Sequence, residues 1–298
     1  MTLPVIEPER DLGDVPLAPP TAGNGLLGVL ERRYLLRLLV RREISARYQG
    51  SFLGLLWSYV NPLTQFLIYW GLMSGLLQLH KQVQNFGIHI FAGMVVVHFF
   101  IETFGAGTRS IVRNRSIVKK MAMPREMFPV ATMLVSLYHV VPQVIVLTIA
   151  CLFYGWWPTP IDLVAFILAV LLIGILGLAS ALMFSAANVF FRDFGNVVTV
   201  LNHLVRFGVP MIYPFAIVQE RFGEAAQFYL LNPLAVAVLL MQRAFWVGTT
   251  PDPAHTMATD LPDHIMVLGV AMVAFSVVLL LVSQLIFSRL ENKIPERL

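Results

Sequence analysis

The stretch RREISARYQGSFLGLLWSYVNPLTQF, residues 41–66, changes character at its midpoint. Its first half carries Arg41, Arg42, Glu43 and Arg47. From Phe52 onward it is almost wholly apolar, interrupted by Ser58, Asn61, Pro62 and Gln65. Cations set against an apolar run mark the place where a chain leaves water for lipid: guanidinium groups stay with the headgroups while their stems lie along apolar surface. The remainder of the 298-residue chain agrees. It is 57% hydrophobic and 13% charged, with a mean hydropathy of +0.74, whereas soluble domains are about 25% charged.

A helix needs about 20 apolar residues to cross a bilayer core. Runs at about 52–79, 88–110, 127–153, 162–190 and 264–288 satisfy this, and a sixth at 195–217 does so despite Arg206. Lipid cannot satisfy backbone polar groups, so a spanning segment is a helix or part of a closed barrel. Period-2 alternation is absent, which leaves helices. With the amino end cytoplasmic, the outer side retains only Lys81, Arg221 and Arg243, and the other cations outside the spans collect on the cytoplasmic side. The positive-inside rule then places both termini in the cytoplasm.

Residues 225–248 are also apolar, but Asn232-Pro233 breaks them into pieces too short to cross. A seventh span would also put Arg289, Lys293 and Arg297 outside. The expectation is a re-entrant hairpin at 218–248, dipping from the outer face between helices five and six as a gate with Tyr213, Arg221, Asn232, Pro233 and Arg243. Arg221 and Arg243 could meet headgroups or pyrophosphate there.

At the amino end, residues 1–25 carry five prolines and four acids and read as a flexible tail. Residues 26–48 read as an amphipathic helix at the cytoplasmic interface, with Leu27, Leu30, Tyr34 and Leu38 as one stripe. Leu36 and Val40 fall off it, which calls for a kink or for burial of both faces. The fold class is all-α: a polytopic membrane protein of six transmembrane helices over 49–290 with a short cytoplasmic tail at 291–298.

Within the first span, Ser58, Asn61 and Gln65 share a helical face, with Trp57, Tyr59, Phe66, Tyr69 and Trp70 around it. Polar groups in lipid are costly unless paired. The face therefore serves either interhelical hydrogen bonding or the wall of a conduit, where aromatic rings and amides suit sugars. Glu102 and Arg206 are charges inside spans and functional candidates by default: they pair with one another, or one lines the conduit. His98, His139 and His203 could pair or bond water within the bundle. The lone Cys151 excludes an internal disulfide and a multi-cysteine metal site. No basic face for nucleic acid, catalytic constellation, cofactor motif or metal-ligand pair stands out. A membrane glycosyltransferase would need acids at a membrane face, which are scarce here, and a proton-coupled carrier would rest on one carboxylate.

Four ordered segments resemble one family. RREISARYQGSFLGLLWSYVNPL resembles the entry to the first span in permease subunits of the type-two ABC exporters of O-antigen, capsule and teichoic acid. RNRSIVKKMAMPREMFPV (113–130) resembles the coupling segment of those permeases. VFFRDFGNVVTVLNHLVRFGVPMIYP (189–214) is similar to their arginine-aspartate turn and the span that follows it. YLLNPLAVAVLLMQRAF (229–245) is similar to the end of their outer loop. The likeness covers about residues 26–290, and its overall look is nearest to the mycobacterial exporters of lipid-linked galactan. Met123 where Phe is commoner, Arg206 inside a span, and the proline-rich tail depart from the pattern.

The resemblance implies a permease moving a lipid-linked polysaccharide across the inner membrane, with a drug or small-molecule exporter of the same superfamily as the alternative. The chain has no G-x-x-x-x-G-K-[ST] phosphate loop, so ATP and magnesium belong on a separate nucleotide-binding subunit and the chain is not itself an enzyme. The implied contact is residues 113–127. There Ile117, Val118, Met121 and Met123 would anchor in a cleft of that subunit, with Lys119, Lys120, Pro124 and Arg125 beside them. The implied complex is a homodimer of this chain with two ATPase subunits, its conduit between the copies.

Overall fold

A computed structural model describes residues 25–75, 78, 81, 83–121 and 123–298. Residues 1–24 of the expected tail at 1–25 and parts of the stretch closing the first span lie outside the described residues. Every regular element among the described residues is helical. The chain enters through α1 (Gly25–Glu31) and α2 (Arg33–Tyr48), separated at Arg32, then α3 (Trp57–Gly75) and α4 (Phe86–Arg113). The short α5 (Arg115–Lys120) leads to α6 (Met127–Phe153), α7 (Pro160–Phe190) and α8 (Phe194–Phe207). After these come α9 (Phe215–Phe222), α10 (Ala226–Tyr229), α11 (Pro233–Phe245), α12 (Pro253–Asp260), α13 (Ile265–Glu291) and α14 (Ile294–Arg297).

Four of these, α4, α6, α7 and α13, are long and apolar enough to cross a membrane. Helix α3 has the length, at 19 residues, but its polar residues dilute it, and no side chain of it is buried. The start of α7 shows how local chemistry sets a boundary. Thr159 accepts from the Asp162 backbone N–H, Asp162 accepts from the Thr159 N–H, and Pro160 holds the first helical position. This capping box satisfies two orphan donors before 31 helical residues begin.

Helix α7 is the hub, packed on α4, α13 and α11. The α4–α7 contact relies on Gly107, where an added Cβ would collide with the Ala181 methyl. Small residues let the two backbones approach closely, the usual basis of helix packing where lipid offers no hydrophobic drive. Gly107→Val is expected to destabilise the bundle by about 1–3 kcal/mol through overpacking. Thermal unfolding in detergent measures this, and a Gly107→Ala change is expected to be milder alongside Ala181→Gly than alone.

Within the expected span at 195–217, α8 stops at Phe207 and the chain is irregular until α9 begins at Phe215. Gly208, Pro210 and Pro214 follow in close order, and prolines remove the donors a continuing helix needs. The irregular segment is nonetheless buried: Val209 is 0% and Met211 1% exposed. Its carbonyls find partners, since the Gln242 side-chain amide donates to the Pro210 oxygen at 2.8 Å and that of Asn232 to the Gly208 oxygen at 3.4 Å. Non-helical backbone at such depth is tolerated only where protein surrounds and satisfies it. Gln242→Leu orphans the Pro210 oxygen and is expected to cost about 1–3 kcal/mol, read as a lowered melting temperature with expression retained.

The segments at 215–229 and 233–249 together are apolar enough to span but bend by 116° at their junction. Asn232 caps α11 by accepting from the Leu234 N–H at 3.0 Å, and Pro233 occupies its first turn. Helix α11 is buried on almost every side from Leu234 to Phe245. At 13 residues it rises only about 20 Å, short of a full crossing.

A smaller core lies where α4 ends and α6 begins. It joins Val29 and Leu39 from α1 and α2 to Ile111, Val118, Met123, Met127, Phe128, Phe287 and Ile294. The break at Arg32 and the burial of Val29 and Leu39 leave Leu27, Leu30, Tyr34 and Leu38 exposed as one stripe, while Leu36 and Val40 lean on this core. Cys151 is buried, with its thiol facing the Phe245 carbonyl oxygen at 3.6 Å.

Candidate functional site: a polar cavity within the apolar bundle

Polar residues of α2, α3, α4, α6 and α8 line an open cavity of about 410 Å³. Helix α4 contributes His98 and Glu102, α6 contributes His139 and Gln143, and α3 contributes Ser58, Asn61 and Gln65. Each set follows helical spacing, so one face of each helix turns inward. Glu102 and His139 sit about 17 Å from the helix ends at Arg113 and Met127, near mid-helix. The end of α2 brings in Arg47 and Tyr48, and α8 brings in Arg206.

One hydrogen-bonded chain crosses the cavity. With the imidazole proton of His139 on Nδ1, it donates to Glu102 Oε1 at 2.8 Å, while Nε2 at 2.8 Å accepts from the Tyr48 hydroxyl. Ser58 bonds the same hydroxyl, and Arg47 donates to Glu102 as an ion pair. In a second group, Gln65 Oε1 accepts from His98 Nε2 at 2.7 Å and from Arg206 Nη1 at 3.2 Å. Glu102 is therefore paired with Arg47 and not with Arg206, although both charges line the same cavity. The physical reason is reach: α2 lays Arg47 directly over Glu102, and Gln65 stands beside Arg206.

A second cavity of about 500 Å³ adjoins at the end of α4, lined by Arg42, Glu43, Arg113, Asn114, Thr132 and Ser136, and Arg47 lines both cavities. There Arg113 pairs with Glu43, and Arg42 donates to Asn114 Oδ1 at 3.1 Å. A third, apolar groove of about 500 Å³ runs between α3, α4 and α6.

The expected conduit wall divides among these spaces. Trp57, Ser58, Asn61 and Gln65 face the polar cavity. Phe66 and Trp70 line the apolar groove, and Tyr69 leans on the main core. His203 is exposed and lines none of these cavities. Sequence reasoning did not place Arg47, Tyr48 and Gln143 in the site. The signal for Gln143 was present in its four-residue spacing from His139, which repeats that of His98 and Glu102.

The expected coupling segment is arranged differently from its sequence reading. Val118 and Met123 are each 6% exposed and Pro124 is buried, all within the chain's own core, and Ile117 is half-buried against it. Helix α5 ends at Lys120 and Met121 is extended, which turns Met121 outward, half exposed, beside the exposed Lys119 and Lys120. Arg125 is also buried: it donates to the Glu291 carbonyl oxygen at 2.8 Å and pairs with the Glu291 carboxylate at 3.6 Å. Burial lowers its pKa, against the opposing charges of Glu291 and Glu126.

The expected gate residues also separate. The Tyr213 hydroxyl donates to the Phe207 carbonyl oxygen and lies 3.0 Å from the Tyr229 hydroxyl, close to the Asn232-Pro233 break. Arg243 sits at the far end of α11, paired with Asp162, so it is not free for headgroups or pyrophosphate. Arg221 is exposed on α9.

A family profile described as ABC-2 type transporter matches residues 34–246. The chain is 31% identical over 226 residues to the O-antigen export system permease protein RfbA of Myxococcus xanthus, covering 76% of this chain and 85% of that protein. It is 26% identical over 220 residues to a protein of the same description from Klebsiella pneumoniae, covering 72% and 81% respectively. It is 22% identical over 255 residues to the capsule polysaccharide export inner-membrane protein CtrC of Neisseria meningitidis, covering 84% and 93%.

Proposed function

The chain belongs to the ABC-2 type transporter family, and on that premise we propose that it is the inner-membrane permease of an ATP-driven exporter of a lipid-linked polysaccharide. The observation that carries the reading is its likeness to O-antigen and capsule export proteins along most of its length. The cavity supports it. Amides, hydroxyls and Trp57 line an open polar cavity together with Arg47, Glu102, Arg206 and two histidines, a surface suited to polar cargo such as sugars and ill suited to the apolar cargo of a drug exporter. A galactan-like polymer is the substrate proposed.

In this reading α3, α4, α6, α7, α8 with its irregular continuation, and α13 are six crossings, with both termini cytoplasmic. The bent pair around Asn232 re-enters from the outer face and gates the path with Tyr213. Two copies related by a two-fold axis enclose the conduit and meet two ATPase subunits, since this chain carries no phosphate loop. Met121, Lys119 and Lys120 form the coupling contact, and the exposed stripe from Leu27 to Leu38 lies in the cytoplasmic leaflet. Deleting the protein tests this: a lipid-linked polymer accumulating on the inner leaflet is the expected result. Unchanged surface polymer after deletion contradicts it.

A further inference from the structure

Two carboxyl groups and one guanidinium are buried together where α6 begins and α13 ends: Arg125 is 7%, Glu126 1% and Glu291 6% exposed. Arg125 donates to the main-chain oxygen of Glu291 at 2.8 Å but stays 3.6 Å from its carboxylate Oε1, past hydrogen-bonding reach. Glu126 Oε1 accepts from the Gln284 amide at 2.8 Å. Glu126 Oε2 and Glu291 Oε1 are left buried without a hydrogen bond, a costly state for two ionised acids beside one cation.

The helix ends set the two acids apart. Glu126 caps the start of α6, where the positive end of the helix dipole favours a negative charge. Glu291 is the last residue of α13, just past the apolar run expected to end at about 288, and the negative end of that dipole disfavours one. Burial and the nearby Glu126 push the Glu291 carboxyl up to about 7, against the pull of Arg125. On the elements packed around the cluster, Glu31, Arg289, Lys293, Glu296 and Arg297 are exposed and Arg32 is half-buried. The one charge on α7, Asp162, lies at the far end of that helix, paired with Arg243. Gly25 at the start of α1 covers Gln284 so closely that an added Cβ would fall 2.6 Å from its amide nitrogen.

We propose that Glu126 and Glu291 share a single proton and form, with Arg125, a proton-operated latch between the start of α6 and the end of α13. While the proton is held between the carboxyl groups, the two orphaned oxygens answer each other and the helix ends are joined. When it passes to water, two like charges remain beside one guanidinium and the contact loosens. Arg125 lies four residues after Met121, so the latch steadies the turn that carries this exposed side chain. That the turn meets an ATPase, and that the proton is exchanged with the cytoplasm, rests on the export reading above; the latch itself does not.

The experiment follows the full chain in neutral detergent by thermal melting and by infrared difference titration of its carboxyl groups. The folded chain holds the Glu291 proton more tightly than the unfolded chain. The stability this lends is complete below the ordinary carboxylate range and is lost as pH rises to about 7. Glu291→Gln cannot ionise. It is expected to melt near the parent at about pH 5 and about 2–4 °C above it at about pH 8, a gain that misfolding does not produce. In the infrared titration the parent is expected to lose one protonated carboxyl as pH rises through about 7. Glu291→Gln lacks that signal, and Glu126→Gln loses it at lower pH because the repelling charge is gone. Glu296→Gln, exposed on α14, is the unchanged control. Parallel melting profiles for the parent and Glu291→Gln, or a parent spectrum without that carboxyl, overturn the proposal. Altered titration in these variants without the deletion phenotype removes the export reading alone. The deletion phenotype with unaltered titration removes the latch alone.

Discussion

Replacing Met121 with aspartate is expected to abolish polymer export while the chain remains in the membrane at parental abundance. Met121 is half exposed, whereas Val118 and Met123 on either side of it are buried, so the fold loses little when it changes. A carboxylate in a partner's apolar socket costs about 2 kcal/mol or more, as for an interface anchor, which is ~30-fold in affinity. The ATPase subunit is therefore expected to fall away on purification. Val118→Asp makes the comparison: it buries a charge in the smaller core and is expected to lower abundance itself. Full export by the Met121→Asp protein would remove the coupling assignment. Arg125 is not a clean probe of coupling, because its substitution also breaks its contacts with Glu291.

The second large effect concerns Arg47 and Glu102. Removing Arg47 leaves the Glu102 carboxylate in the cavity with only His139 to answer it. Breaking a fully buried pair costs about 3–5 kcal/mol. Arg47 is 49% exposed, so solvent screening reduces the expected loss to about 1–3 kcal/mol. Adding Glu102→Gln to Arg47→Ala is expected to restore much of it, giving a coupling of about 1 kcal/mol or more in a double-mutant cycle of melting free energies. Strict additivity of the two changes would mean that the pair does not act as a unit.

Much of the fold could be read from apolarity alone. Helices α4, α6, α7 and α13 follow long runs that lipid forces into helices, and their ends lie within a few residues of the expected ones. The end of α8 could not, because Val209, Met211 and Ile212 are as apolar as a span while the glycine and prolines among them break it. The irregular segment survives on Gln242 and Asn232, donors that lie more than twenty residues away in sequence.

For the site, helical spacing revealed the inward faces but not the partners. Arg47 could be recognised as an interface cation, yet its reach to Glu102 depends on α2 packing against α6, which sets Arg47 beside His139 and Glu102. Likewise, residues 113–127 scan as one amphipathic segment. The helix stops at Lys120, and the extended Met121 alone reverses direction.

We expect a membrane-embedded chain that draws its energy from another subunit. Nucleotide turnover and polymer movement in proteoliposomes, measured with this chain alone and then with its ATPase, test that most directly. No turnover is expected from the chain alone, and ATP-dependent outward movement of lipid-linked polymer is expected once the ATPase is present. ATP hydrolysis by the purified chain, or polymer movement without any nucleotide-binding subunit, would contradict it.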